Sequence, residues 1–180
     1  MRVITGSARG RRLITLEGED VRPTTDKVKE ALFSIIQFEI EGRKVLDLFA
    51  GSGQLGIEAL SRGAKSAVFV DLSRQAVEVI KQNLENTGFS KNAVVLNTDS
   101  IAFAATRAEK YDIAFLDPPY RKGLLQKALP LVADIMNEGG VIVCEAPFEE
   151  EIPENAGEFN LVKTYKYGKI KLATYRKIGG

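Results

Sequence analysis

From Lys44 onward, short apolar runs alternate with stretches whose apolar residues recur every three or four positions. The first pattern predicts buried strands and the second predicts helices packed on one face. Strands are expected at Val45–Phe49, Ala67–Val70, Ala93–Leu96, Ile113–Leu116 and Val141–Cys144. Helices are expected between them: Gly53–Arg62, ended by Gly63, and a helix capped by Ser73 that carries Ala76, Val77, Ile80 and Leu84 and stops at Gly88. A short helix near Ile101–Thr106 and a longer one over Leu124–Met136 complete the series. Short apolar strands in a βαβα rhythm imply an α/β fold, with a mostly parallel sheet covered on both faces.

Both ends depart from this rhythm. Leu161–Tyr167 and Ile170–Arg176 flank Gly168-Lys169 and read as a closing antiparallel hairpin. At the start, Arg2–Thr5 and Arg11–Thr15 flank Ser7-Ala8-Arg9-Gly10 and read as a small hairpin. Pro23 and Thr24-Thr25-Asp26 then open a helix carrying Val28, Ala31, Leu32, Ile35 and Ile36, which Gly42 closes. A single domain of 180 residues is expected, with an N-terminal extension over 1–41 and a core over 42–180.

Composition narrows the chemistry. The chain has one cysteine, Cys144, and no histidine. A Cys/His zinc site and Ser-His or Cys-His nucleophilic catalysis are excluded by count, and no metal site is expected. Cys144 lies in an apolar strand and reads as core. No apolar run approaches the roughly 18–20 residues that span a bilayer. No signal-peptide pattern is present, and a cytoplasmic monomer that does not engage membranes is expected.

The formal net charge of +1 conceals an asymmetry. Residues 1–16 carry Arg2, Arg9, Arg11 and Arg12, and residues 159–180 carry six basic side chains. Neither end holds any of the 24 acidic residues. Basic ends on an acidic body suggest contact with a polyanion through the ends.

Two motifs carry the candidate chemistry. Gly51-x-Gly53-x-x-Gly56 lies between a predicted strand and a predicted helix. Such glycines let the backbone turn tightly and approach a ligand at a helix N-terminus. Asp71 ends the next strand, 20 residues after Gly51, where a carboxylate can accept both hydroxyls of a ribose. Asp47 stands four residues before the loop in an otherwise apolar strand. Beside a pyrophosphate it would be repulsive; beside an ammonium and a sulfonium it is favourable. Asp99, after the third strand, is placed for an adenine amine or, more simply, for capping the next helix. Three carboxylates at three strand ends match S-adenosylmethionine better than a dinucleotide.

The second motif is Asp117-Pro118-Pro119-Tyr120. Two prolines cannot extend the preceding strand, so the turn is stiff. The Asp117 carboxylate and the Pro118 carbonyl can bind the N–H groups of an exocyclic amine, and Tyr120 can stack on its base. Arg121 and Lys122 follow and can hold a neighbouring phosphate or simply be solvated.

With these residues in view, the chain resembles class I methyltransferases of the amino-group type over Val45–Ala64 and Asp117–Tyr120. Gly10-Arg11-Arg12-Leu13, Arg22-Pro23-Thr24-Thr25-Asp26 with Val28 and Glu30, and Leu48–Gly53 through Glu58–Ala64 resemble RsmD-type 16S ribosomal RNA guanine-N2 methyltransferases. The resemblance implies a Rossmann-like class I fold. Its parts would be a mostly parallel seven-stranded sheet, a C-terminal antiparallel hairpin, and a small N-terminal β-hairpin plus helix. It implies S-adenosylmethionine as donor, a guanine at the 966-type site of 16S rRNA as target, and the small ribosomal subunit as partner.

Carried over residue by residue, Asp117, Pro118 and Tyr120 become catalytic. Asp47, Phe49, Gly51, Gly53, Asp71, Leu72, Asp99 and Ser100 become cofactor residues. Arg2, Arg9, Arg11, Arg12, Arg22, Arg121 and Lys122 become RNA contacts. Thr24 or Thr25 is expected near the methionine carboxylate. Gln54 stands where a small residue is usual and Lys29 where arginine is usual. The proline turn is shared by adenine-N6 and cytosine-N4 methyltransferases of DNA or RNA, which remain alternatives. A nicotinamide-dependent oxidoreductase is disfavoured by Asp47, and a non-catalytic RNA-binding module by the intact Asp47, Asp117 and Tyr120.

Overall fold

The computed structural model describes residues 1–17, 24–106, 109–120 and 122–178. Eight strands form one sheet in the order β3-β2-β1-β4-β5-β8-β7-β6. The central strands are β1 (Lys44–Asp47), β2 (Ser66–Asp71), β3 (Ala93–Asn97), β4 (Tyr111–Leu116) and β5 (Met136–Pro147). All pair in parallel with their neighbours in this group. The long hairpin β7 (Phe159–Tyr167) and β8 (Ile170–Lys177) adds antiparallel to β5. An eighth strand beyond the expected seven is only two residues long: β6 (Asn155–Ala156) extends the far edge.

Alternate residues of the parallel strands feed two cores. Val45, Phe69, Ile113, Phe115 and Val143 share a cluster with Leu32, Phe33, Leu55, Ile80 and Leu84. These come from α1 (Asp26–Ile35), α2 (Gln54–Ser61) and α3 (Arg74–Thr87). Leu46, Val70, Ala114, Leu116 and Ile142 share the opposite cluster with Leu125, Leu129 and Val132 of α5 (Leu124–Ala133). A strand period of two therefore makes each strand apolar on both faces. Full burial of each large side chain is worth roughly 1.5–3 kcal/mol. Cys144 lies in this second core, and burial pushes its thiol far above the usual range.

Several boundaries differ from the sequence reading. Helix α1 stops at Ile35 rather than at Gly42, although Thr25 caps it through its side-chain oxygen. Helix α5 stops at Ala133, and Met136 already belongs to β5, where it pairs with Tyr111. The N-terminal hairpin contracts to one bridge, Arg2–Arg12. Its remaining order comes from bonds such as Val3 N to the Arg11 carbonyl and Leu13 N to the Met1 carbonyl, both 2.9 Å.

That first segment is fastened to the body as well as to itself. The Glu58 carboxylate of α2 accepts the Ile4 amide at 2.8 Å and the Thr5 amide at 3.0 Å. It also pairs with Lys29 Nζ at 3.7 Å and Arg62 Nε at 2.9 Å. Lys29 donates to the Arg2 carbonyl at 2.7 Å. Burial lowers the Lys29 pKa, and the Glu58 charge opposes that shift. Lys29 thus acts as a buried tie between α1, α2 and the first residues. Gly6 is pressed against the same helix: at φ +95° its Cβ position lies 1.9 Å from the Ser61 carbonyl oxygen, so a side chain has no room there. Among the described residues no helix is long and apolar enough to cross a membrane.

Candidate active site

Each parallel strand ends in a turn at the same edge of the sheet, where ligands of open α/β folds bind. A cleft of about 490 Å³ opens along this edge. Asp47 at the end of β1, Asp71 at the end of β2, Asp99 after β3 and Asp117 after β4 all border it. So do Phe49, Gly51, Leu72, Ser100, Pro118 and Lys122.

Asp47 is 2% exposed, and its Oδ2 accepts the Gly56 amide at 2.9 Å. Burial pushes its pKa up to about 7; the Gly56 bond opposes this and the Asp71 charge adds to it. A cationic group in the cleft would offset that burial cost. Asp71 has a double task. Its Oδ2 accepts the Gly51 amide and its Oδ1 the Ser73 amide, both at 2.9 Å, so it shapes the two turns that frame the cleft. A carboxylate oxygen has more than one acceptor site, so these bonds leave capacity for a diol.

Asp99 caps helix α4 (Ser100–Ala104) by accepting the Ala102 amide at 2.9 Å. The simpler role foreseen for it is therefore realised, and it faces the cleft as well. Ser100 is buried and donates to the Leu48 carbonyl at 2.5 Å, so its proton is committed within the protein. Gly53 does not border the cleft. It caps α2 at φ +83°, a left-handed conformation that favours glycine. Gly56 is needed for contact: a Cβ there would lie 2.3 Å from the Phe69 ring.

The proline turn sits at the cleft's other end. Pro118 is buried, whereas Asp117 and Tyr120 are half-buried. Asp117 Oδ2 lies 3.3 Å from the Thr24 hydroxyl, and the Tyr120 hydroxyl lies 3.4 Å from Glu145 Oε1. Neither Thr24 nor Thr25 borders the cleft: Thr24 sits between Asp117 and Glu145, and Thr25 caps α1.

Of the candidate RNA contacts, Arg2, Arg9, Arg11, Arg12 and Lys122 are exposed. Arg2 lies 3.9 Å from Asp26. Arg22 and Arg121 lie outside the described residues. The cleft also has a wall that sequence reasoning missed: Met1, Thr15, Leu16 and Glu17. Its only trace in the chain is Asn83, a buried polar residue on the apolar side of α3. Glu145 was also missed, because Val141–Cys144 reads as uninterrupted core.

Residues 1–176 match the family model described as conserved hypothetical protein 95. The ribosomal RNA small subunit methyltransferase D of Haemophilus influenzae is 40% identical over 183 residues, covering 98% of this chain and 93% of that protein. The protein of the same name from Escherichia coli K12 is 34% identical over 179 residues, covering 98% and 90%. The solved structure of yhhF from Escherichia coli superposes with a TM-score of 0.87 at 34% identity, covering 98% of this chain and 97% of that one. A match over almost every residue, together with the Rossmann-like architecture, shows that the chain is a methyltransferase and belongs to the family of the ribosomal RNA small subunit methyltransferases D.

Proposed function

We propose that this protein methylates the exocyclic N2 amine of a guanine in 16S rRNA, at the 966-type site, with S-adenosylmethionine as donor. The observation that carries the reading is the shared cleft: Asp117, Pro118 and Pro119 of the proline turn and Gly51 of the glycine loop border one cavity, with Tyr120 next in the chain after them. An amine-binding turn and a nucleoside-binding edge are thereby within reach of one another.

The donor set fits the proposed cofactor. Asp47 would sit near its cationic end, Asp71 would accept the ribose hydroxyls, and Asp99 would face the adenine. Phe49 and Leu72 would supply apolar contact. When bound, the sulfonium supplies an electrophilic methyl group. The protein's part is to hold the amine and remove its proton. An exocyclic amine is a poor nucleophile because its lone pair is delocalised into the ring. Asp117 and the Pro118 carbonyl accept its N–H groups and turn the lone pair toward the donor. These acceptors act most strongly as positive charge builds on nitrogen. Holding both reactants in line supplies a further large part of the acceleration. Tyr120 stacks on the base, which must leave its helix if it is paired.

Arg2, Arg9, Arg11 and Arg12, with Lys122 near the turn, are proposed to contact rRNA phosphates, which fix register without reading sequence. The partner would be the small ribosomal subunit, met by a cytoplasmic monomer. The test is methylation of small subunits from a strain lacking the enzyme, followed by nucleoside analysis. N2-methylguanosine is expected. Methylated adenine or cytosine, or no methylated product, would overturn the assignment.

A further inference from the structure

A second carboxylate stands behind Asp117, and the chemistry above does not use it. Glu145 lies on β5, the strand paired with β4, and is 5% exposed. Its Oε2 is 3.2 Å from Thr24 Oγ1, and its Oε1 is 3.4 Å from the Tyr120 hydroxyl. The same Thr24 oxygen is 3.3 Å from Asp117 Oδ2, and Thr24 is 6% exposed. Four residues from three parts of the chain are thus linked: Asp117 and Glu145 through the Thr24 hydroxyl, and Tyr120 through Glu145.

A threonine hydroxyl has a single proton, so it can donate to one of the two carboxylates at a time. The trio Asp117–Thr24–Glu145 is therefore one proton short of two full hydrogen bonds. One added proton completes the set: a protonated carboxyl donates to Thr24, and Thr24 donates to the other carboxylate. Burial of an acid at such a cost calls for a reason, and an apolar residue would fill a strand position of β5 more cheaply.

We propose that Thr24 and Glu145 form the path that carries away the proton lost by the target amine. The inference rests on the amine-methylation reading given above. In the transfer, the amine nitrogen forms a bond to the methyl carbon of the sulfonium donor, and the carbon–sulfur bonding pair leaves with sulfur. The nitrogen then sheds one proton and keeps the N–H pair. Asp117 takes this proton. Thr24 accepts it from Asp117 while passing its own to Glu145. Asp117 is again ionised, Thr24 is unchanged and Glu145 holds the proton until it passes to solvent. Glu145 is thus a positioning and relay residue. It holds Asp117 through Thr24 and holds the Tyr120 ring through its hydroxyl.

The test measures kcat and KM across pH for the wild type, Thr24→Ser, Thr24→Val and Glu145→Gln. Cofactor affinity and thermal unfolding are followed alongside. Thr24→Ser keeps the hydroxyl and should turn over at close to the wild-type rate. Thr24→Val should lower kcat by about 10- to 100-fold with cofactor affinity unchanged. Glu145→Gln should lower kcat and displace the acidic limb of the pH profile, with little change in the KM for cofactor. Wild-type kcat and pH profile in both Thr24→Val and Glu145→Gln would overturn the relay. Should Thr24→Val fail to fold, the near-isosteric Glu145→Gln decides the matter by itself. A wild-type protein that transfers no methyl group to an RNA amine would refute the functional reading instead. An active wild type with unaffected variants would refute only the relay.

Discussion

Asn83 on α3 clasps Ile14 from both sides: its Oδ1 accepts the Ile14 amide at 2.7 Å, and its Nδ2 donates to the Ile14 carbonyl at 3.0 Å. The same Nδ2 donates to the Ser52 carbonyl in the glycine loop at 2.9 Å. One buried amide thus fixes the segment carrying the exposed arginines to the loop that frames the cleft. Thr15, Leu16 and Glu17 follow Ile14 and form part of the cleft wall.

Removal of that amide should therefore affect both stability and ligand binding. Asn83→Ala leaves three backbone groups without their partner, at a cost of roughly 1–3 kcal/mol. Denaturant unfolding should show the loss, and calorimetry should show weaker S-adenosylmethionine binding. Unchanged cofactor affinity in a folded variant would mean that the wall does not matter to binding.

Asp47 predicts a pH dependence of definite sign. Its pKa rises from 3.8 to about 7 on folding, so between these values the folded chain keeps a proton that the unfolded chain has lost. The contribution is most favourable below about pH 4 and declines as pH rises toward 7, by up to roughly 4 kcal/mol. Asp47→Asn keeps an acceptor for Gly56 and should flatten this slope in unfolding curves at pH 5 and pH 8. Binding of a cationic cofactor favours the ionised form. Cofactor affinity of the wild type should therefore rise from pH 6 to pH 8, and that rise should disappear in Asp47→Asn.

Asp117→Ala removes an acceptor that is most valuable in the transition state. The methyl-transfer rate should fall by about 100-fold or more, with cofactor affinity little changed. Single-turnover transfer to small subunits is the measurement, and near-normal turnover would exclude the role given to this carboxylate.

The arginines of the first segment should act through charge alone. Changing Arg11 and Arg12 together to alanine should weaken RNA binding and make its salt dependence shallower, leaving cofactor binding intact. Filter binding at several salt concentrations distinguishes this from a purely structural role, for which the slope would not change.

Much of the site could be read from the chain because its signals are local. A carboxylate in an apolar strand, a glycine loop before a helix and two prolines after a strand each report on their own few residues. Glu145 shows where this stops. In Val141–Ala146 it interrupts an apolar run, yet its meaning depends on β5 lying beside β4 and on α1 bringing in Thr24. Likewise the N-terminal hairpin pairs with itself as its sequence predicts, but the bonds that Glu58 and Asn83 add from the body are not legible in it.

The sequence by itself determined the order of strands and helices, the two-faced burial of the central strands, and the carboxylates at their ends. Periodicity and turn chemistry act over a few residues, and no distant contact is needed to express them. Only the tertiary structure decided which of those ends share a cleft, which segment walls it, and which acid stands behind Asp117. Those relations depend on strand order and helix packing, which bring together residues as far apart as Thr24 and Glu145.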